Sequence, residues 1–200
     1  MKKHQEASAW FDGLYAKNKE TQENIPWARF SVNPLLQTYL EKKTRHQGKA
    51  LVIGCGLGDD AEALAELGYD VVAIDVSESA LSQAKERFPN TKVFYEKQDI
   101  FEMPTEYDAH FDFVFESLTI QSLPVEFRTQ MIQAVSDTVA KGGELLVVAH
   151  ERTKMFDGPP WPLQREEIDL FLKECKEISF ERVMEPSGIS DKRFCVLYEK

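Results

Sequence analysis

The chain has 200 residues, of which 42% are hydrophobic, with a formal net charge of −10 and a pI near 5.0. This size and composition predict a single domain, residues 1–200, with one sizeable core, and the acidic charge argues against a nucleic-acid partner because phosphate binding depends on clustered Lys and Arg. The chain lacks an apolar run of about 18 residues that could span a bilayer and the apolar segment of a secretion signal, so we expect a cytoplasmic protein with no membrane partner.

The first 47 residues are predicted to form a helical segment, the N-terminal cover, ahead of a core that spans residues 48–200. Aromatic and leucine side chains recur at helical spacing from Gln5 to Lys17. Asn33-Pro34 marks the start of a second helix, from Leu35 to Arg45, with proline at its first position.

From Lys49 onward, strand and helix patterns alternate, which is typical of a parallel sheet with helices on both faces. Strands are predicted at about 49–54, 70–75, 91–95, 111–115 and 143–149, and helices at about 59–68, 77–88 and 124–140. Ser77 is expected to cap the second of these helices and Lys141-Gly-Gly143 to end the third.

The C-terminal part changes character. A helix at about 164–173 is followed by two β-rich runs, 176–185 and 192–199, which flank Pro186-Ser-Gly188 and predict an antiparallel hairpin. The chain is therefore predicted to be α/β, with a seven-stranded, mostly parallel sheet and a C-terminal antiparallel β-hairpin.

The first predicted strand ends in glycines at every second position, Gly54, Gly56 and Gly58. Glycine accommodates a tight turn and lets the backbone lie directly against a ligand. The second strand ends on Asp75, where a βαβ unit presents a carboxylate to the hydroxyls of a ribose. These features predict a site for a nucleoside cofactor.

The charge beside the glycines indicates which cofactor binds. A dinucleotide site favours Gly-x-Gly-x-x-Gly, but this chain has Gly-x-Gly-x-Gly followed by Asp59 and Asp60. Each carboxylate would oppose a pyrophosphate by about 1 kcal/mol across 4 Å of water. S-adenosylmethionine, with a sulfonium and an ammonium, suits such a site. The alternative is that the two aspartates only cap the following helix.

No metal site or disulfide framework is predicted. The cysteines have no Cys-x-x-Cys spacing and the histidines are scattered. Cys55 is interpreted as a small side chain tolerated by the turn, and not as a reactive thiol. The residues concerned are Cys55, Cys175, Cys195, His4, His46, His110 and His150.

Several motifs in order resemble class I S-adenosylmethionine-dependent methyltransferases, which implies their Rossmann-like fold. The motifs are Gly54-Cys-Gly-Leu-Gly58, Ala73-Ile-Asp-Val-Ser77, Gln98-Asp-Ile-Phe101, Phe111-Asp-Phe-Val-Phe115 and Gly142-Gly-Glu-Leu-Leu146. Most members have an acid two residues before the first glycine, where this chain has Val52. In lacking that acid and in having a Gly-Cys-Gly run, the chain resembles the thiopurine methyltransferase-like branch. In that branch an aromatic N-terminal segment closes over the cofactor. Trp10-Phe-Asp-Gly-Leu-Tyr15 and Ile25-Pro-Trp27 are similar to that segment.

The resemblance implies roles for individual residues. Asp75 would bind the ribose, Asp99 with Ile100 would edge the adenine, and Trp27 would cover the pocket. The alternatives are that Asp99 is a turn residue and that Trp10 and Trp27 are ordinary core aromatics. The implied cofactor-binding residues are Trp27, Gly54, Cys55, Gly56, Leu57, Gly58, Asp75, Val76, Ser77, Asp99, Ile100, Phe101, Glu116 and Ser117.

The implied activity is transfer of a methyl group from S-adenosylmethionine to a small-molecule acceptor by direct in-line displacement. We favour a thiol, which is partly ionised near neutral pH because its free pKa is about 8.5. For a hydroxyl or an amine, a base near the end of the fourth or fifth strand becomes useful, and the candidates are His150 and Glu116. The alternative is that His150 is a surface histidine at a strand end.

Acceptor selection is predicted to lie in the N-terminal cover and in the segment from Glu151 to Pro162, the acceptor loop, which carries Met155, Phe156 and Trp161. The alternative is that this loop only packs on the edge of the domain. A cofactor-binding module without methyl transfer and a nicotinamide dehydrogenase remain alternative functions. The identity of the acceptor, the use of a base and the oligomeric state stay open.

Overall fold

The structure is a computed structural model that describes residues 2–21, 24–153, 158–184 and 192–200. The chain divides into two compact units, Met1–Asp99 and Ile100–Lys200. Every helix within the described residues is too short or too polar to cross a membrane.

Unit one begins with the helices of the N-terminal cover. They are α1 (Lys3–Ser8), α2 (Trp10–Lys17) and α3 (Pro34–Lys42). The prediction of a single helix over residues 5–17 is therefore wrong, because the helix is interrupted at Ala9. The Ala9 N–H bonds to the carbonyl of Glu6, three residues back, at 3.4 Å, where a continuous α-helix bonds four residues back.

The start of α3 is confirmed. The Asn33 side chain accepts the Leu35 N–H at 3.0 Å, and Pro34 is the first helical residue. The helix ends at Lys42, three residues earlier than predicted, because Lys43 has extended backbone angles (φ −84°, ψ 138°).

Strands and helices alternate in the rest of unit one. The elements are β1 (Lys49–Ile53), α4 (Asp59–Leu67), β2 (Asp70–Asp75), α5 (Glu78–Arg87) and β3 (Phe94–Lys97). β2 pairs in parallel with both β1 and β3. β3 begins at Phe94, three residues later than predicted, because Thr91 instead accepts a local hydrogen bond from the Val93 N–H at 2.9 Å. Ser77 caps α5 as predicted, accepting the Ala80 N–H at 3.0 Å.

Unit two contains the remaining four strands. Its elements are β4 (Phe111–Ser117), α6 (Arg128–Thr138), β5 (Val139–His150), α7 (Arg165–Ile168), β6 (Lys176–Met184) and β7 (Lys192–Glu199). The helical stretches predicted over 124–140 and 164–173 are each part α-helix and part 3₁₀-helix, with the 3₁₀ turns at Val125–Phe127 and Asp169–Lys173.

The predicted glycine stop after the third core helix is wrong, because Gly142 and Gly143 lie inside β5. The strand starts four residues earlier than predicted and is irregular, since its pairing with β4 jumps from Phe111 to Phe113, which lies opposite Glu144. Gly142 has a φ of 75°. A Cβ on Gly143 would lie 2.9 Å from the carbonyl oxygen of Phe111. Glycine is therefore present for a close backbone approach within a bulge.

The strand order is β3-β2-β1 in unit one and β4-β5-β7-β6 in unit two, which gives seven strands in all. In unit two, β4 and β5 are parallel, and β7 is antiparallel to both β5 and β6. β6 and β7 are the predicted C-terminal hairpin, whose predicted turn at 186–188 lies outside the described residues. The predicted α/β class is confirmed.

Candidate active site

The glycine loop, residues 54–58, joins β1 directly to α4 in unit one. Gly54, Gly56 and Gly58 have φ angles of 62°, 52° and 91°, which L side chains rarely adopt. The Cys55 N–H donates to the Ile74 carbonyl at 3.0 Å and ties the loop to β2. Burial and the nearby Asp75 raise the pKa of the Cys55 thiol well above its usual value, which fits an unreactive side chain.

Asp75, the predicted ribose residue, stands at the carboxyl end of β2. Its two carboxylate oxygens accept the N–H groups of Gly56 and Ser77, both at 2.9 Å, so it joins the glycine loop to the start of α5. Burial raises its pKa, against the lowering effect of those hydrogen bonds. Each carboxylate oxygen has a second lone pair with which to accept a hydroxyl. Val76 is partly exposed and Ser77 is buried.

The two aspartates that follow the loop have different partners. Asp59 forms a bidentate ion pair with Arg87, with both N–O distances at 2.7 Å, and Arg87 also donates to the Leu57 carbonyl at 2.6 Å. Asp60 accepts the backbone N–H of Asn33 at 2.7 Å, and burial raises its pKa to about 6. Asp59 is thus neutralised by a cation that also holds the loop, while Asp60 anchors the N-terminal cover.

Tyr15 and Trp27 of the N-terminal cover lie against the glycine loop. The Trp27 indole N–H donates to the Tyr15 hydroxyl at 2.7 Å. A Cβ built on Gly56 would lie 2.8 Å from that hydroxyl, so the tyrosine closely approaches the loop backbone. Trp10 is 39% exposed and meets Trp27 edge-on at 5.9 Å. The buried cluster beneath Trp27 consists of Tyr15, Ile25, Leu57 and Ala80.

Asp99 and Ile100, which are predicted to contact the adenine, and the next residue, Phe101, have different neighbours. In unit one, a carboxylate oxygen of Asp99 lies 3.3 Å from Nε2 of His4 in α1, a neighbour that the sequence analysis did not predict. In unit two, Ile100 is buried and Phe101 lies 6.3 Å from the ring of Phe127, measured between ring centroids.

The two candidate bases lie at the ends of β4 and β5 in unit two. Glu116 is fully buried, and its Oε1 accepts the N–H groups of Thr119 at 2.7 Å and Ile120 at 2.9 Å. Burial raises the pKa of Glu116 to about 7. His150 is 2% exposed, and its backbone N–H donates to the side chain of Gln121 at 2.7 Å. Neither base side chain faces solvent, whereas Ser117, which follows Glu116, is partly exposed.

The described part of the acceptor loop is anchored to other elements of unit two. The Trp161 N–H donates to the Gln121 carbonyl at 2.7 Å, and its carbonyl accepts a hydrogen bond from the buried Arg128 at 2.9 Å. Arg152 donates to the Pro162 carbonyl at 3.0 Å and pairs with Glu167. The predicted selectivity residues 155 and 156 lie outside the described residues.

Comparison with known proteins identifies the family. The model of the thiopurine S-methyltransferase family matches residues 16–189. The chain belongs to this family. It is 30% identical to thiocyanate methyltransferase 1 of Arabidopsis thaliana over 84% of this chain and 69% of that protein. It is 26% identical to the thiopurine S-methyltransferase of Legionella pneumophila (strain Corby), over 89% of this chain and 86% of that protein.

The solved structures agree on the fold. N-methyltransferase NodS from Bradyrhizobium japonicum, solved in complex with S-adenosylhomocysteine, matches with a TM-score of 0.74 at 19% identity, over 94% of this chain and 98% of that one. The chain spans about two thirds of the length of the thiocyanate methyltransferases that it matches. Family membership makes the protein an S-adenosylmethionine-dependent methyltransferase, and an inactive binding module is not favoured.

The residues of unit one fit this cofactor. The glycine loop would offer backbone groups, and Asp75 has a buried carboxylate that would accept hydroxyl groups of a ribose. Arg87 is engaged by Asp59, while Asp60 and Asp75 add negative charge, which favours a sulfonium and an ammonium over a pyrophosphate.

Several residues of these contacts were not predicted by the sequence analysis. Tyr15 belongs to the aromatic N-terminal segment, but nothing in the sequence distinguished it from an ordinary helix residue. Arg87, Gln121 and Arg128 act through partners about 28 to 33 residues away, a separation at which sequence spacing carries no signal.

The stability of the methyltransferase should depend on the ionisation of Glu116. Because its pKa is raised from 4.5 to about 7 on folding, the folded state binds the proton more tightly, and the free energy of unfolding falls as pH rises between those values. The full loss, above pH 7, is at most about 3 kcal/mol. Urea unfolding at pH 5 and pH 8 should show a larger decline in the wild type than in Glu116→Gln, which keeps the smaller contributions of the buried Asp60 and Asp75. Glu126→Gln, at an exposed site, is the matched control and should keep the wild-type dependence; equal pH dependence in wild type and Glu116→Gln would contradict the prediction.

Proposed function

We propose that the protein methylates a small sulfur nucleophile, such as a thiolate or thiocyanate. Relatives named for thiocyanate and thiopurine acceptors support a sulfur acceptor. The structural observation that carries the proposal is the burial of both candidate bases, Glu116 and His150. A thiolate or thiocyanate needs no base, whereas an alcohol or a protonated amine does.

The residues of unit one bind and orient the donor in this proposal. Asp75 accepts the ribose hydroxyls, the backbone of the glycine loop binds the methionine portion, and Tyr15 and Trp27 exclude water above it. When bound, S-adenosylmethionine supplies a methyl group that is already activated by the sulfonium. The protein therefore contributes mainly alignment, which can lower a barrier by roughly 7 to 11 kcal/mol.

The residues of unit two are proposed to present the acceptor. Ser117 is the partly exposed residue at the end of β4, and the acceptor loop supplies Trp161 as an apolar wall. Gln121 and Arg128 hold that wall through the backbone of Trp161. Asp99, Ile100 and Phe101 remain the proposed adenine contacts.

An acceptor panel tests the proposal. Purified protein with S-adenosylmethionine would be given thiocyanate, hydrosulfide, two thiols of different pKa, a primary amine and a phenol, and S-adenosylhomocysteine would be measured. We expect turnover of the sulfur acceptors, with a rate that rises with pH up to the pKa of each thiol. Glu116→Gln and His150→Gln should keep kcat within about threefold, since barrier changes below about 0.7 kcal/mol correspond to that factor.

Two outcomes would overturn the sulfur proposal. One is faster methylation of the amine or the phenol. The other is a pH profile that stays the same for both thiols and disappears in Glu116→Gln, which would make Glu116 a base. Calorimetric titration with S-adenosylhomocysteine and with NADH tests the choice of cofactor independently of the acceptor. We expect S-adenosylhomocysteine to bind and NADH not to bind.

A further inference from the structure

Asp12 connects the N-terminal cover to the start of α5. It lies in the first turn of α2, and its Oδ1 accepts the Ser77 hydroxyl and the Ser79 N–H, both at 2.9 Å. The hydrogen bond from the Ser79 backbone is the largest effect on the Asp12 carboxyl and lowers its pKa. Asp12 is therefore a charged acceptor at the N-terminus of a helix to which it does not belong.

Ser77 relays this contact toward the ribose carboxylate. Its hydroxyl donates to Asp12 and accepts the Ala80 N–H at 3.0 Å, so it both caps α5 and binds the cover. Its backbone N–H donates to Asp75 at 2.9 Å. One fully buried serine thus lies between Asp12 and Asp75.

A second hydrogen bond, farther along α2, also joins this helix to α5. The Gln83 side chain of α5 donates to the Tyr15 carbonyl at 3.0 Å. Residues three apart lie on one face of a helix, so Asp12 and Tyr15 face α5 together. The packing of α2 against α5 therefore fixes the position of the Tyr15 hydroxyl. This hydroxyl closely approaches Gly56 and accepts the Trp27 N–H.

We propose that Asp12 is a positioning residue for cofactor binding. By holding α2 on the N-terminus of α5, it sets the location of Tyr15 and Trp27 over the glycine loop. It thereby controls cofactor affinity without contacting the cofactor. The inference rests on the proposed function in one respect, namely that the glycine loop and Asp75 form the cofactor site.

The test compares Asp12→Ala and Asp12→Asn with the wild type. Asp12→Ala removes the acceptor and should raise the Kd for S-adenosylhomocysteine, measured by calorimetry, about tenfold, or about 1.4 kcal/mol. Asp12→Asn keeps an oxygen that can accept both hydrogen bonds and should bind within about threefold of wild type, or about 0.7 kcal/mol. Glu20→Ala, an exposed acid shortly after α2, is the control and should bind like wild type.

Kinetics distinguish positioning from general damage. In Asp12→Ala the KM for S-adenosylmethionine should rise about tenfold, while kcat at saturation and the KM for the acceptor stay unchanged. Binding of S-adenosylhomocysteine by Asp12→Ala within twofold of wild type would overturn the inference. So would equal losses in Asp12→Ala and Asp12→Asn, or a fall in kcat as large as the rise in KM. Failure of the wild type itself to bind S-adenosylhomocysteine would instead overturn the proposed function.

Discussion

Asp75→Asn should weaken binding of S-adenosylhomocysteine about 100-fold or more. The carboxylate is proposed to accept two ribose hydroxyls, and hydrogen bonds to charged groups contribute about 1.5 to 3 kcal/mol each. Asparagine has a single acceptor oxygen, whereas Asp75 already serves the N–H groups of Gly56 and Ser77 with two. The ligand and the loop would therefore compete for one atom. Calorimetric titration measures the effect.

Matched variants make this result interpretable. Asp75→Glu keeps both oxygens on a longer side chain and should lose less than about tenfold, or about 1.4 kcal/mol. Asp70→Asn lies at the exposed start of the same strand and should bind like wild type. Urea unfolding of each variant without ligand checks that the fold is kept. Binding by a folded Asp75→Asn within fivefold of wild type would remove Asp75 from the cofactor site.

Gly58→Ala should lower the free energy of unfolding by about 3 kcal/mol. Gly58 has a φ of 91°, and a Cβ there would lie 2.3 Å from the Tyr95 hydroxyl and 3.2 Å from the Ala84 Cβ. A left-handed backbone costs a residue with a side chain about 1 to 3 kcal/mol, and overpacking adds about 1 to 3 kcal/mol. The tyrosine cannot readily move aside because its hydroxyl donates to Glu62 at 2.7 Å. Urea unfolding provides the measurement.

A double-mutant cycle separates the clash from the backbone strain. Tyr95→Phe removes the oxygen at 2.3 Å, so Gly58→Ala should cost about 1 kcal/mol less in that background, a coupling within the range for residues in contact. Gly13→Ala, with nothing within 4 Å of the added Cβ, should be neutral or stabilise α2 by up to about 1 kcal/mol. An identical cost of Gly58→Ala in both backgrounds would show that the steric contact with Tyr95 is not the cause.

The features that could be predicted from the sequence are those with a local physical cause. The positive φ angles of the glycine loop, the Ser77 cap and the Asn33-Pro34 helix start each depend on residues within a few positions of one another. The alternation of strand and helix likewise follows from the period of apolar residues, which is why the sheet and the C-terminal hairpin were predicted. Element boundaries failed where a distant strand intervened, as at Gly142 and Gly143 in β5.

The pairing of charged and polar groups was decided only by the tertiary structure. The sequence indicated acidic residues beside the glycines, but Asp59 is neutralised by Arg87 and Asp60 holds the backbone of Asn33. Asp12 accepts a hydrogen bond from Ser77, which lies 65 residues away in the sequence. Local sequence therefore determined which backbone conformations this protein can adopt and the type of cofactor it takes. Its tertiary structure determined which side chains hold that site together, because hydrogen bonds and ion pairs join whatever groups packing brings within about 3 Å.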